Sequence, residues 1–262
     1  MTPHAIFLAG ALMLTAGVLP AQERGTLAAR IAASTDRVVR VSAPSREGLC
    51  GWGEGNVMQR SDYSGRWPRE SSRYWDGGEQ CARGPVRLVI ERDDAGASRV
   101  RFFIGGRWRS DAPGTDLGDV SAADAAALLG DLVVRAPTRA AKDAMVPLTL
   151  LDGVDASHPL LRAARDSARP REVRKSAVFW LSQVAQDVVA PLGAIATDDP
   201  DAEIRKQAVF ALSQRPNDEA VPALIRIADS KRDPEIRRSA IFWLGQKDDP
   251  RVVRWLEKAL AP

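Results

Sequence analysis

A thirteen-residue pattern occurs three times in the second half of this chain of 262 residues. The copies begin at positions 171, 202 and 234 and read REVRKSAVFWLSQ, AEIRKQAVFALSQ and PEIRRSAIFWLGQ. Self-similarity at a spacing of 31 to 32 residues is typical of proteins that stack paired helices into a solenoid. The repeat therefore restricts this region to an architecture in which each unit packs only on its neighbours.

Each copy predicts a helix with one apolar face centred on a small residue. At about 100° of turn per residue, four apolar side chains fall within about 60° of Ala177, namely Val173, Trp180, Leu181 and Val184. Ala208 and Ala240 have equivalent apolar neighbours. Because a single helix cannot bury such a face, each copy needs a covering element.

A shorter helix between successive copies is predicted to supply this cover. Asp187, Asp218 and Asp249 precede these segments at a spacing of 31 residues. An Asp there would accept the free backbone amides of the first turn, so we expect each one to be an N-cap. Pro250 then occupies the first helical position, where a missing amide hydrogen costs nothing. Residues 138–151 supply a degenerate copy, which brings the predicted array to four repeats.

The pattern Asp-Pro-x-Ile-Arg-x-x-Ala-x-x-x-Leu at residues 233–244 resembles HEAT repeats, in particular the short phycobilisome-lyase type. The resemblance covers about residues 138–262 and implies a right-handed α-solenoid. It also implies that the helix starting at each Val/Ile-Arg pair lines the concave face. The arginine of each pair is expected to contact a turn carboxylate such as Asp201 or Asp233; these arginines are Arg174, Arg205 and Arg237.

Residues 1–21 are apolar and contain no Lys, Arg, Asp or Glu. A hydrophobic run over residues 5–19, followed by Pro-Ala-Gln, is typical of a secretory signal peptide with its cleavage site. The run is shorter than the ~20 residues that span a membrane, and no other stretch is apolar enough. We expect a cleaved signal and a periplasmic or secreted mature chain, with an uncleaved anchor as the alternative.

The two cysteines, Cys50 and Cys81, both follow the predicted signal. An even number of cysteines in an exported chain predicts a disulfide, and closing this loop would contribute about 3–4 kcal/mol. The alternative is a pair of reactive or metal-binding thiols. It lacks the CxxC spacing and the nearby histidine of a zinc site.

Residues 22–116 are predicted to form a small β-rich domain around this disulfide. Residues 37–42 indicate a strand, and residues 85–91 and 98–104 alternate in hydrophobicity on either side of an Asp-Asp-Ala-Gly turn, as a hairpin does. A sheet of this size is marginally stable alone. We therefore expect it to pack on the first helices of residues 117–262 and to cap the solenoid.

Tryptophan and arginine are concentrated in this β-rich domain and permit two interpretations. The residues are Trp52, Trp67, Trp75 and Trp108, with Arg60, Arg66, Arg69 and Arg73. Such residues bind glycans or single-stranded nucleic acid in other proteins. In a small domain with few aliphatic side chains, the tryptophans can instead form the core. Export argues against nucleic acid as a partner.

The sequence contains no pattern that predicts catalysis or a bound cofactor. His158, in a predicted turn, is the one histidine after the signal. A catalytic Ser or Cys would have no further histidine to activate it as a nucleophile. No glycine-rich loop follows a strand to hold phosphate. Carboxylates are concentrated at predicted caps and turns, where they stabilise helices. We predict a protein that is not an enzyme and that carries no metal or cofactor.

One aromatic residue is identical in all three copies and lies about 200° from the small core residue: Phe179, Phe210 and Phe242. Charged residues share this face, namely Lys175, Lys206 and Arg238 with Glu172, Glu203 and Glu235. Stacking would align the rings into a ladder flanked by charge, which is typical of a partner-binding groove. The alternative is that each ring packs between adjacent helices.

Together these patterns predict an α+β chain, with a small disulfide-bonded β-rich domain before an all-α HEAT-like solenoid. We predict protein binding or scaffolding in the cell envelope through the concave face. The net charge of +3 suits an acidic partner. Binding of glycan or cell wall through the Trp-rich domain is the alternative. A lyase- or chaperone-like role is a third reading, which the resemblance implies without any residue that carries it.

Overall fold

The structure is a computed structural model that describes residues 25–59, 73–76, 81–184, 187–230 and 233–260. The predicted signal, and Arg60, Arg66, Trp67 and Arg69, lie outside the described residues. The elements are α1 (Leu27–Ala33), β1 (Val38–Ala43), β2 (Leu49–Gly53), β3 (Asn56–Gln59), β4 (Trp75–Asp76), β5 (Ala82–Arg83), β6 (Val86–Asp93), β7 (Gly96–Ile104), β8 (Arg107–Trp108), β9 (Thr115–Asp119), α2 (Ala122–Arg135), α3 (Thr138–Leu150), α4 (Ser157–Arg165), α5 (Arg171–Val184), α6 (Val189–Asp198), α7 (Ala202–Ser213), α8 (Asn217–Asp229), α9 (Pro234–Leu244) and α10 (Pro250–Leu260).

The β-rich region contains a four-stranded sheet in the order β7-β6-β1-β9, in which only the β1–β9 pair is parallel. The predicted strand and hairpin are confirmed as β1, β6 and β7. A three-stranded sheet, β3-β2-β5, carries Cys50 on β2. The predicted disulfide to Cys81 is present, with the two Cα atoms 5.3 Å apart.

One face of the four-stranded sheet packs on the helices. Val41, Leu88 and Ile104 are fully buried there in the same apolar cluster as α2 and α3. The Asp143 carboxylate of α3 accepts a hydrogen bond from the backbone amide of Val100 on β7 at 3.2 Å. The sheet thus covers α3, as expected for a small sheet that is marginally stable alone.

The other face of the sheet holds a separate aromatic cluster. Trp75 is 2% exposed, stacks on Phe103 at 6.0 Å and donates its indole N–H to the carbonyl of Gly105. The guanidinium groups of Arg40 and Arg87 lie 5.3 and 5.4 Å from the ring centre of Trp108. The structure therefore uses these tryptophans as a core, which is the second interpretation above.

The helices form two layers. In the first layer α3, α5, α7 and α9 contact one another in succession, and α5, α7 and α9 each also pack on the helix before them. That covering helix is shorter in the first two units, as predicted, but α8 has 13 residues against 11 in α9, so the prediction is wrong for the third. The central residues Ala177, Ala208 and Ala240 are fully buried, and one apolar cluster continues from Leu27 to Val252. Among the helices that the structure describes, none combines the length and apolarity needed to cross a bilayer.

The predicted caps of the shorter helices are correct in one case of three. Asp249 accepts the backbone amide of Arg251 at 2.8 Å, and α10 begins at Pro250 as predicted. Asp187 and Asp218 are not caps. Helix α6 has Val188 at its N-cap, and α8 has Pro216 there, which places Asp218 inside the first turn. An acidic residue in the first turn still favours the helix through the dipole, so the 31-residue spacing does not identify a cap.

Candidate partner-binding surface

The three repeat phenylalanines lie at the surface of the first helix layer. Phe242 is 58% exposed, whereas Phe179 and Phe210 are half-buried. The core therefore does not enclose the rings. Their accessibility agrees with the 200° offset from the core centre, and their role in binding stays a prediction.

Five rings on this surface, Phe179, Trp180, Phe210, Phe242 and Trp243, form what we call the aromatic column, in which Trp243 connects two of the three phenylalanines. Trp243 lies between Phe210 and Phe242, with ring centres 5.2 and 5.1 Å away, and so joins α7 to α9. Phe179 meets the neighbouring Trp180 edge-on at 5.2 Å. Phe210 therefore packs between two helices, as the alternative predicts for each ring, while Phe242 stays open to solvent and partner binding stays a prediction.

The charged residues beside the column are paired unequally. The ammonium group of Lys206 lies 3.2 Å from the carboxylates of both Glu203 and Glu235, and Glu235 and then Glu203 raise the pKa of Lys206. Lys175 is half-buried and Arg238 is exposed. In the described part of the chain, no carboxylate lies within ion-pair distance of Lys175 or Arg238. Among the described residues, carboxylates therefore neutralise Lys206 on α7, whereas Lys175 on α5 and Arg238 on α9 have no such partner.

Arginines of one repeat reach forward to aspartates at the turn before the next. Arg205 contacts Asp233 at 2.8 Å, as the repeat pattern predicts. Arg174 pairs with Asp199 instead of the expected Asp201 or Asp233, and Asp201 pairs with Arg171 at 2.6 Å. The first copy thus uses two arginines, an exposed one for Asp201 and a buried one for Asp199. For Arg237 the expected partner is missing among the described residues.

The family comparison agrees with this arrangement. A profile of the HEAT repeats family matches residues 157–241 and, in an overlapping frame, residues 189–261. Residues 157–261 of this chain are built of HEAT repeats. The match begins with α4, so the HEAT unit is a short helix followed by an arginine-bearing one, in agreement with the packing. The phycobilisome-lyase subtype stays a prediction, because the match is to the repeat class. A comparison with curated proteins gave no match.

Three exposed glutamines of the HEAT units were not recognised as part of this surface: Gln183, Gln214 and Gln246. Each follows the repeat phenylalanine by four residues, so Gln183 shares a face of α5 with Phe179, whereas Gln214 and Gln246 follow the last residues of α7 and α9. The amides of Gln183 and Gln214 donate to the hydroxyls of Ser182 and Ser213 at 3.1 and 3.2 Å. Their identity across the three copies was the available signal.

The one histidine after the predicted signal is solvent-exposed. The side chain of His158 is 87% exposed and lies in the first turn of α4, so the predicted turn is wrong there. Together with Arg162 and Arg165 it lines an open cavity of about 450 Å³. Over the described ranges, no three His, Cys, Asp or Glu side chains converge as metal ligands. The expectation that the protein is not an enzyme stays a prediction.

Proposed function

We propose that this chain is a non-catalytic docking module in the cell envelope, whose partner protein binds along the aromatic column on the concave face of the HEAT repeats. One observation carries the proposal: a ring conserved through three copies of the repeat stays accessible, and Phe242 is 58% exposed. Full burial of such a ring contributes about 2 kcal/mol. Accessible aromatic side chains are the residues that most often dominate a protein interface.

An extracytoplasmic location is part of the proposal and has two supports. The Cys50–Cys81 bond is of the kind that persists in oxidising compartments. The apolar N-terminal stretch, residues 1–21, has the composition of a secretory signal.

The test is the triple substitution Phe179→Ser, Phe210→Ser and Phe242→Ser in the full chain. The partner is captured by crosslinking to the wild-type protein in envelope extract and identified. Val253→Ser is the matched control, because Val253 is 57% exposed on α10, away from the column. We expect the triple variant to lose this partner while it stays folded at 25 °C, with a moderately lower melting temperature because Phe210 packs against Trp243, and the control to keep both the partner and the melting temperature. A large fall in melting temperature with the partner retained would instead assign the rings to packing.

Glycan binding is not favoured by any contact in the described residues. The ring of Trp75 is buried, and Arg40 and Arg87 flank Trp108. Trp67, the other tryptophan of that hypothesis, lies outside the described residues.

A further inference from the structure

Two consecutive cations on α7 hold two carboxylates at the start of α9. Arg205 donates to Asp233 at 2.8 Å, and Lys206 contacts Glu235 at 3.2 Å. Asp233 is also the N-cap of α9, since one of its oxygens accepts the backbone amide of Glu235 at 2.8 Å. One short acidic segment therefore both caps its own helix and binds the preceding repeat.

On α9, Arg237 and Arg238 occupy the repeat positions equivalent to Arg205 and Lys206, and both side chains are exposed. No carboxylate of the described residues lies within ion-pair distance of either guanidinium group. With Ser230, Pro234 and Ile241 they line a cavity of about 290 Å³. The cation pair that carboxylates neutralise on α7 thus lines a cavity on α9 without a counter-charge from the described residues.

The chemistry of a ligand for Arg237 and Arg238 can be inferred from the two carboxylates that the equivalent cations on α7 already bind. Two adjacent guanidinium groups attract carboxylates, and guanidinium binds carboxylate in a directional, planar geometry. Asp233 and Glu235 show the spacing that fits, with two carboxylates two residues apart at a helix start. Ile241 and the exposed ring of Phe242 give the same end of the surface an apolar component.

We propose that the cavity between Arg237 and Arg238 binds an acidic segment of the partner protein, in which an Asp and a Glu two residues apart begin a helix. The inference rests on the proposed docking function and adds a charged anchor at the Phe242 end of the aromatic column.

The probe is a fluorescent peptide with the sequence of residues 199–210, DPDAEIRKQAVF, which carries Asp201 and Glu203 at the required spacing. Its binding to the full chain is followed by anisotropy at low ionic strength. We expect the affinity to fall at least tenfold for the protein variant Arg237→Gln with Arg238→Gln. An equal fall is expected for a peptide with Asp201→Asn and Glu203→Gln, and added salt should weaken the wild-type pair.

The control is Arg139→Gln with Arg226→Gln, two exposed arginines that carry the same total charge on other helices. This variant should bind the peptide as the wild type does. The proposed acidic-segment site would be overturned if the peptide did not bind, or if both double-arginine variants lost the same amount of peptide affinity. The docking function is judged separately, because Phe179→Ser is expected to weaken partner capture and to leave peptide binding unchanged.

Discussion

Arg174 on α5 and Asp199 in the turn before α7 form an ion pair in which the two side chains are only 4% and 6% exposed. The same guanidinium donates through Nε to the carbonyl of Ala164 on α4 at 2.9 Å. One side chain therefore connects the helices of one HEAT unit to the turn that begins the next. This arginine thus joins α4, α5 and the turn before α7 in a site that is almost closed to solvent.

Replacing Arg174 with Gln should lower the free energy of unfolding by about 3–5 kcal/mol, because Asp199 is left buried without its cation. Arg171→Gln should cost much less, because the Arg171 side chain is 57% exposed and its ion pair with Asp201 is solvated. Urea denaturation of the two variants measures the difference. Similar losses in both would show that burial does not set the strength of these pairs.

Removal of the disulfide with Cys50→Ser and Cys81→Ser should cost about 3–4 kcal/mol, since the unfolded chain regains the freedom of a closed loop of 31 residues. The HEAT repeats do not contain the bond, so the far-ultraviolet helical signal at 25 °C should persist. Thermal unfolding with and without a reductant checks both points. An unchanged melting temperature in the wild type after complete reduction would contradict the prediction.

The carboxylate of Asp249 should titrate with a pKa of about 2, because the Arg251 side chain and then its backbone amide donate hydrogen bonds to it. The folded value lies below the ordinary value of about 3.9. Its contribution to stability is therefore present at neutral pH and is lost as the pH falls from about 4 to about 2. Carboxyl NMR follows the titration, and α10 amide exchange follows the helix. Asp249→Asn, which keeps a capping side chain, should remove this pH step from α10.

Ala211→Trp should destabilise the fold by about 1–3 kcal/mol, although tryptophan occupies the same repeat position in the other two copies. Ala211 is fully buried, whereas Trp180 and Trp243 are half-buried, so the second copy has no space for an indole. Chemical denaturation gives the change. Ala211→Ser is a small-residue control, and a stabilised Ala211→Trp variant would mean that repeat identity outweighs local packing.

The helical array could be predicted from the sequence, because the packing of similar units fixes the period of the repeat. The small residues Ala177, Ala208 and Ala240 are buried as the register predicts. The register also brought the phenylalanines to the surface. It also placed Trp180 and Trp243 on the apolar face, where both pack against the core, but it did not predict their contacts with the phenylalanines, because a residue near the edge of an apolar stripe can face both ways.

Partner choice among neighbouring charges could not be predicted from spacing. Two aspartates, Asp199 and Asp201, lie within reach of the first copy, and their burial decides which arginine each one binds. Strand β9 was also missed. It is short, carries two aspartates and pairs in parallel with β1, so it shows neither an apolar alternation nor a hairpin turn.

The contact between the sheet and α3 has a consequence for how this molecule can be divided. Val100 and Asp143 are joined across it, and the apolar cluster passes through it without interruption. Severing the chain near residue 120 should expose to solvent the side of α3 that the sheet now covers, together with the sheet face that contains Val41 and Leu88. The sheet and the helices are therefore expected to be less stable as separate fragments than as one chain.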